Sequence, residues 1–254
     1  MGGGVRKKKI KVVGLIPVRL ESKRLPGKAL LDLDGLPLII HTAKRAMLSK
    51  SVDEVYVCTD SKKIVTACKK YSVKTIKTKK NFVNGTERIA SIASKFKNSL
   101  IIDIQGDEPL IKPSYIDTLV AAHKKVIKKA DIIIPTIEML YHSDETNIRV
   151  LTSKSNRVLY LTRSKTPFQY ISNIKTISKH VSVISFTSEG LQNYKRLKRS
   201  FYEQIEDIEL LRAVENDMKV YSIKLEGNSF SVDINEDYLR AKIAMKTDPI
   251  RKMY

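Results

Sequence analysis

Short apolar runs alternate with amphipathic stretches along most of the chain. The runs have the length of buried strands, and the stretches between them carry apolar residues at helical spacing. The predicted strands cover residues 12–16, 54–58, 100–104, 132–135, 181–186 and 219–223. The predicted helices cover residues 38–48, 61–71, 86–96, 114–128 and 203–215. Strands that alternate with helices predict an α/β fold with a largely parallel sheet.

The segment 141–178 is less regular than the rest of the chain. We expect it to hold a hairpin or an insertion that leaves the main sheet. No Gly/Ser-rich or Pro-rich linker divides the chain, so we predict one continuous domain over residues 10–250. Residues 1–9, MGGGVRKKK, are predicted to be a disordered basic tail.

Composition narrows the class of protein. The 254 residues are 42% hydrophobic, which suits one packed α/β domain. No apolar run has the length of a membrane span, and the N-terminus lacks the apolar stretch of a secretory signal. The two cysteines, Cys58 and Cys68, have neither metal-binding nor disulfide-framework spacing. We therefore expect a cytoplasmic protein with no membrane partner.

The formal net charge is +20, from 47 Lys and Arg against 27 Asp and Glu. A charge of this size raises the hypothesis of a nucleic-acid-binding protein. The excess is spread along the whole chain, without the aromatic interleaving of single-strand binders or a recognised nucleic-acid module. A solvated lysine-rich surface explains the charge better, and we expect no nucleic-acid partner.

The stretch 16–28, IPVRLESKRLPGK, follows the first apolar run directly and holds the strongest basic cluster. Arg19, Lys23, Arg24 and Lys28 fall within ten residues that proline and glycine can fold into a tight turn. Clustered cations and free backbone N–H groups suit a polyphosphate. The alternative is a solvated basic loop. The loop lacks the spacing of a P-loop, so a nucleoside triphosphate would be held differently.

Two further polar stretches are candidate binding segments, one at the start of a predicted helix and one at the end of a predicted strand. In NGTER, at 84–88, glycine fits a turn and Thr86 can cap the following helix; an ordinary capped helix is the alternative. In IQGDEP, at 104–109, a strand runs into adjacent carboxylates, which predicts that Asp107 binds Mg²⁺. Asp233 is a second candidate metal ligand, with a helix-capping role as its alternative.

Other catalytic chemistries find little support in the sequence. The four histidines, at 41, 123, 142 and 180, include no pair at metal-binding spacing. No nucleophile motif of the G-x-S-x-G type is present, which argues against a covalent acyl-enzyme.

Together, IPVRLESKRLPGK, NGTER and IQGDEPLI-x-P, in this order and at these intervals, resemble the sugar-acid cytidylyltransferases, in particular the 3-deoxy-manno-octulosonate cytidylyltransferase family. The likeness extends from about Val12 to Met245. It implies a Rossmann-like α/β sheet flanked by helices, with an inserted sugar-binding and dimerisation region at about 141–200, and a homodimer. The implied reaction transfers CMP from CTP to the anomeric hydroxyl of a 2-keto-3-deoxy sugar acid, with Mg²⁺ as cofactor and pyrophosphate as product.

The resemblance also implies roles for individual residues. The nucleotide would be bound by Pro17, Arg19, Arg24, Lys28, Gly85, Arg88 and Gln105. The acceptor acid would be bound by Gln105, Arg163, His180 and Glu209. The metal would be bound by Asp107 and Asp233, and the catalytic residues would be Lys28, Arg19, Asp107 and Asp233.

The sequence departs from the family pattern on the acceptor side. On the strand that starts at His180, Ser182, Ile184 and Thr187 replace the family's glycine, tyrosine and arginine, and Leu210 replaces an amide. Leucine cannot hydrogen-bond a hydroxyl, so the acceptor is expected to be an amino or deoxy variant of the sugar acid, or a phosphonate. A non-catalytic nucleotide-binding relative is the other alternative, against which the intact Asp107 and Asp233 argue.

Overall fold

The computed structural model describes residues 10–142 and 147–254, so the predicted basic tail at 1–9 lies outside the described residues. The described strands are β1 (Lys11–Pro17), β2 (Asp32–Leu33), β3 (Leu36–Pro37), β4 (Glu54–Thr59), β5 (Thr75–Lys77), β6 (Ser99–Ile104), β7 (Ile132–Leu140), β8 (Arg149–Thr152), β9 (Val158–Thr162), β10 (Thr176–His180), β11 (Val183–Thr187) and β12 (Val220–Lys224). The described α-helices are α1 (Leu38–Met47), α2 (Lys62–Lys70), α3 (Gly85–Ala90), α4 (Pro113–Val126), α5 (Ser188–Arg196), α6 (Phe201–Glu206), α7 (Leu211–Glu215) and α8 (Asn235–Thr247). Short 3₁₀ helices lie at Lys28–Leu30, Ala93–Lys95 and Pro249–Met253.

One half of the main sheet is parallel. Its strands lie in the order β5-β4-β1-β6, and each neighbouring pair runs parallel. All six apolar runs predicted as strands form strands, and β6 is buried along its whole length. Such continuous burial is typical of a parallel strand covered by helices on both faces.

The other half of the sheet is mostly antiparallel. Strand β11 runs antiparallel between β6 and β7, and the order continues through β10, β8 and β9. Strand β12 pairs in parallel with β7. The hairpin expected in 141–178 is formed by β8 and β9, but it extends the edge of the main sheet instead of leaving it.

Two predicted helices differ in the structure. The helix predicted over 203–215 is two short helices, α6 and α7, because Asp207 takes a left-handed conformation with φ 51°. Aspartate tolerates this conformation better than most residues. The helix predicted over 86–96 ends at Ala90 and continues as a 3₁₀ turn.

Helices cover both faces of the sheet and bury a separate apolar cluster on each. One cluster includes side chains of α1, α2 and α4, and the other includes side chains of α3, α5 and α7. The carboxyl ends of β1 and β6 are left open between these layers, which is where open α/β sheets bind ligands. None of the helices described is both long enough and apolar enough to cross a membrane.

Candidate active site

The basic loop leaves the carboxyl end of β1 and returns at the 3₁₀ helix that starts with Lys28. Gly27, in the left-handed region with φ 68°, makes the turn that directs Lys28 back toward the sheet. Arg19 and Arg24 are exposed, whereas Lys28 is partly buried. Within the described part of the chain, Arg19 has no ion-pair partner, so its guanidinium is available to a ligand.

Lys28 joins the basic loop to both predicted metal-binding aspartates. Its ammonium Nζ donates to Asp107 Oδ2 at 2.7 Å, to the Val232 carbonyl at 2.9 Å and to Asp233 Oδ1 at 3.0 Å. Arg24 adds an ion pair to Asp233 Oδ1 at 2.9 Å. The basic loop and two aspartates 126 residues apart in sequence, 107 and 233, therefore share one cleft.

The charges in this cluster stabilise one another. Burial lowers the pKa of Lys28, but the carboxylates of Asp107 and Asp233 outweigh it, and the net pKa is raised. Burial likewise raises the pKa of Asp233, but Lys28 and Arg24 reverse this effect and leave the pKa lowered. Both partners consequently stay ionised at neutral pH.

Asp233 reaches the cleft because of the packing before α8. The backbone N–H of Val232 donates to the Asp107 carbonyl at 2.9 Å, which ties the two loops together. Val232 is fully buried beside Leu33, Ala241 and other apolar residues. Asp237, not Asp233, provides the carboxylate at the start of α8, so the capping alternative for Asp233 does not hold.

The two aspartates fit a divalent cation. Their oxygens converge on a position that already holds a cation, the Lys28 ammonium, and hard carboxylate oxygens suit Mg²⁺. Across residues 10–142 and 147–254, no group of three or more His, Cys, Asp or Glu side chains has metal-binding geometry. Mg²⁺ commonly binds through one or two carboxylates with substrate phosphates supplying further oxygens, so a two-carboxylate site is sufficient.

The NGTER stretch forms the wall of the cleft opposite the basic loop. Asn84 caps α3, since its side chain accepts from the Glu87 N–H at 2.8 Å; the predicted capping role of Thr86 is wrong. A Cβ on Gly85 would lie 2.9 Å from Pro17 Cγ and 3.0 Å from Gln105 Oε1. Glycine therefore allows α3 to approach both of these residues closely.

Arg88 lies on the same helix but is held by the protein. It is 4% exposed, and its Nη1 donates to Asp60 at 2.8 Å, to Thr78 at 2.6 Å and to the Lys79 carbonyl at 3.1 Å. These contacts fix the loop before α3, while the side chain also lines the cleft.

The cleft consists of two adjoining cavities. The first has a volume of about 770 Å³ and is bounded by the basic loop, the NGTER stretch and Asp107. The second, of about 1030 Å³, is bounded mainly by β7, β10 and the segments 203–210 and 228–240. Residues that line both are Arg19, Arg24, Val83, Asn84, Gln105, Asp107, Arg163, Asp207 and Asp233. All twelve predicted site residues line one cavity or both.

The predicted acceptor-binding residues lie around the second cavity. The Arg163 N–H and Nε each donate to Glu206 at 3.0 Å, the first to the carboxylate and the second to the carbonyl, so α6 holds the side chain in place. Burial lowers the pKa of His180 to about 4, and the ring is neutral at pH 7. In the part of the chain described, His180 Nδ1 is buried without a hydrogen-bond partner. The His180 residue as a whole contributes to the wall of the second cavity.

Sequence reasoning missed a buried polar layer under the cleft. Asp103 on β6 is fully buried and accepts from Thr86 Oγ1 at 3.0 Å and from Gln105 Nε2 at 3.1 Å. Glu108 is 2% exposed and accepts from Ser229 Oγ at 2.9 Å. A single acid within the apolar run 100–104 was the available signal for Asp103.

A model of the cytidylyltransferase family matches residues 13–220. The 3-deoxy-manno-octulosonate cytidylyltransferase of a Nitratiruptor species is 34% identical over 230 residues, which cover 88% of this chain and 95% of that protein. The 8-amino-3,8-dideoxy-manno-octulosonate cytidylyltransferase of Shewanella pealeana is 32% identical over 232 residues, 88% of this chain and 94% of that protein.

Among solved structures, CMP:2-keto-3-deoxy-manno-octonic acid synthetase complexed with CTP superposes with a TM-score of 0.88 at 28% identity, covering 93% of this chain and 98% of that one. An α/β fold with a cation-lined cleft thus coincides with sequence similarity over 88% of the chain. The chain belongs to the cytidylyltransferase family. The predicted fold class and the predicted enzyme class are both confirmed.

Proposed function

We propose that this cytidylyltransferase transfers CMP from CTP to the anomeric hydroxyl of 3-deoxy-manno-octulosonate or a close variant of it, and releases pyrophosphate. The observation that carries the proposal is the Lys28 ammonium, bonded to Asp107 and Asp233 at the mouth of the basic loop. That geometry joins a triphosphate-binding loop to a two-carboxylate cation site in one cleft.

The first cavity is the proposed CTP site. Arg19 and Arg24 are exposed cations facing it, and both can donate paired hydrogen bonds to phosphate oxygens. Asn84 and Gly85 form the opposite wall, where the nucleotide base would lie. Lys28 offsets negative charge on the phosphates as pyrophosphate leaves.

The second cavity is the proposed acceptor site. Arg163 supplies a positive charge for the acceptor carboxylate, and the His180 side chain lines the same cavity. Gln105 lies between the cavities, where the acceptor hydroxyl meets the α-phosphorus. Attack by the anomeric oxygen forms its bond to phosphorus, the bond to the bridging β-phosphate oxygen breaks, and no enzyme nucleophile takes part.

Asp107 and Asp233 would hold Mg²⁺. When bound, the ion supplies positive charge at the phosphate oxygens and favours ionisation of the attacking hydroxyl. Lys28 and Arg24 balance the negative charge of the two carboxylates before the substrate arrives.

The decisive experiment measures pyrophosphate release from each of the four nucleoside triphosphates, with and without Mg²⁺, across a panel of 2-keto-3-deoxy sugar acids. We expect release with CTP that depends on the acceptor and is abolished by Asp107→Ala. Glu236→Gln, an exposed carboxylate on α8, is the matched control. CTP binding without release by the wild-type protein would instead identify a non-catalytic relative.

The panel should include the 8-amino-3,8-dideoxy acid. Ile184 and Leu210 line the second cavity and offer no hydrogen bond to an acceptor hydroxyl. A relative named for the 8-amino acceptor is 32% identical, which makes that acid the first variant to compare.

We also propose a homodimer that forms through the region 141–200 and its surroundings. Large apolar side chains are exposed there: Leu140, Leu159, Phe168, Tyr170, Ile171 and Phe201. Ile171 is 92% exposed, and exposed apolar groups of this size mark interaction surfaces. Light scattering should give twice the chain mass, and Ile171→Asp should shift it toward the monomer.

A cytoplasmic location is part of the proposal, since Cys58 and Cys68 are both buried free thiols.

A further inference from the structure

Asp103 is a fully buried carboxylic acid that does not belong to the metal or phosphate machinery. Its side chain is 0% exposed and lies near the carboxyl end of β6, beneath the cleft. Within residues 10–142 and 147–254 no basic side chain pairs with it; its partners are the Thr86 hydroxyl at 3.0 Å and the Gln105 amide at 3.1 Å. Burying an acid without a cation is unfavourable, so the position calls for an explanation.

The contact with Gln105 sets the direction of an amide that faces ligands. Gln105 Nε2 donates to Asp103 Oδ1, which leaves Oε1 as the amide atom that has no donor in the described part of the chain. The side chain lines both cavities. Because an amide has one accepting and two donating sides, its fixed partner decides which side a ligand meets.

Thr86 contacts the other oxygen of the Asp103 carboxyl. Its hydroxyl donates to Asp103 Oδ2 at 3.0 Å, while its backbone N–H donates to Glu209 Oε2 at 3.2 Å. Thr86 is itself fully buried. The acid is therefore held on both oxygens, and the amide that it orients has little freedom to rotate.

We propose that Asp103 is a positioning residue that holds the Gln105 amide oxygen toward a hydrogen-bond donor of the acceptor sugar acid, such as a hydroxyl. The inference rests on the proposed function, because it assigns the acceptor to the cavity that Gln105 and Glu209 share. It adds a residue that touches neither substrate and yet sets acceptor affinity.

The electrostatics of the site indicate which substitution of Asp103 is the matched control. Burial, and after it the charge of Glu209, raises the pKa of Asp103. Asparagine has nearly the same shape as the carboxyl and carries no charge that burial would penalise. Asp103→Asn keeps an accepting oxygen for Gln105, whereas Asp103→Ala removes it.

The test is a double-mutant cycle in which the KM for the acceptor and the KM for CTP are measured separately. Asp103→Ala should raise the acceptor KM about tenfold, the worth of one well-placed hydrogen bond, with the CTP KM changed less than about twofold. Asp103→Asn should stay within about twofold of wild type. In the Gln105→Ala background, Asp103→Ala should raise the acceptor KM no further.

Two results would overturn the inference. One is an Asp103→Ala effect of the same size with and without Gln105; the other is an unchanged acceptor KM. If Asp103→Ala does not fold, Asp103→Leu serves instead, because leucine fills a similar space and offers no accepting oxygen to Gln105. It should raise the acceptor KM to a similar extent when Gln105 is present and no further in the Gln105→Ala background; an unchanged acceptor KM in Asp103→Leu overturns the inference. Wild-type protein without acceptor-dependent pyrophosphate release would refute the proposed function itself, a result separate from any pattern among these variants.

Discussion

The Lys28 ammonium lies 2.7 Å from Asp107 Oδ2 and so occupies one of the oxygens on which a divalent cation would depend. The same nitrogen contacts Asp233 at 3.0 Å. An ammonium and a metal ion cannot both fill this position, because each needs the same carboxylate oxygens. If Mg²⁺ binds to these aspartates as proposed, Lys28 competes with it in the absence of nucleotide.

This competition predicts the behaviour of Lys28→Met. Loss of the charge should lower kcat/KM by roughly 10²–10³-fold, the size typical of a cation that stabilises transition-state charge. Without nucleotide, the same variant should bind Mn²⁺ more tightly than wild type, as measured by electron paramagnetic resonance titration. Lys62→Met, an exposed lysine on α2 that lines neither cavity, is the control and should change neither quantity more than about threefold. Weaker Mn²⁺ binding by Lys28→Met would show that the lysine supports the metal site instead.

Gly85→Ala should damage the nucleotide half of the cleft. The added methyl would lie 2.9 Å from Pro17 Cγ, closer than side-chain contacts allow, so β1 and α3 must move apart. We expect a loss of about 1–3 kcal/mol in the free energy of unfolding and a higher CTP KM. Urea unfolding and initial rates measure the two effects. Gly14→Ala, whose new methyl would meet its nearest neighbour at 3.4 Å, should be milder in both assays.

Arg212→Met should be strongly destabilising. Arg212 is 3% exposed and donates to Glu203, itself 1% exposed, at 2.6 and 2.8 Å and to Glu87 at 2.8 Å. Removing the guanidinium leaves the buried Glu203 carboxylate with only the longer, 3.4 Å contact to Arg199 as a cationic partner, which costs about 3–5 kcal/mol. Urea unfolding should show this loss, and adding Glu203→Gln should recover part of it. Arg199→Met, which contacts Glu203 from a partly exposed position, should cost less than about 1 kcal/mol; equal losses in the two variants would argue against the buried pair.

Stability should fall with acid because of His123. This ring is fully buried, bonded to Ser185 Oγ at 2.7 Å and the Ala130 carbonyl at 3.2 Å, and burial lowers its pKa to about 4. Between the unfolded value of about 6.5 and the folded value of about 4, the unfolded chain binds a proton that the folded chain does not. Stability from this group is therefore complete above about pH 6.5 and decreases by about 2 kcal/mol by pH 5.

His123→Asn removes the group that titrates, so its free energy of unfolding should change less than that of wild type between pH 7 and pH 5. Urea unfolding at both pH values gives the comparison. His142→Gln, at an exposed position, should leave the wild-type pH dependence intact. An identical pH dependence in His123→Asn and wild type would contradict the assignment.

The parallel half of the fold and the phosphate side of the cleft were predictable from sequence. Strands such as 12–16 and 100–104 are continuous apolar runs, and the chemistry-bearing residues follow them directly in the chain. Carboxyl ends of parallel strands meet at one edge, so sequence order alone places Arg19, Lys28 and Asp107 together.

The acceptor half was harder to predict, because its geometry depends on tertiary contacts. Ile205 fits a helical repeat with Ile208 and Leu211, yet it is 64% exposed, since the left-handed Asp207 ends α6 and starts a new direction. The pairing of Asp103 with Gln105 through a buried layer has no counterpart in local spacing. Helical periodicity describes one element at a time. It cannot predict a helix break, such as the one at Asp207, that is favourable only because of tertiary packing.

In the mixed sheet, the two cavities are lined largely by different structural elements. The residues predicted to bind the triphosphate and the metal lie mostly on loops that follow parallel strands, while β7, β10 and β11, together with the segments 203–210 and 228–240, line the second cavity. Replacements such as Ile184 and Leu210 line only the second cavity, so they can arise during divergence without changing the backbone around the first cavity. A lineage with this architecture can exchange one acidic sugar for another while its nucleotide chemistry is conserved.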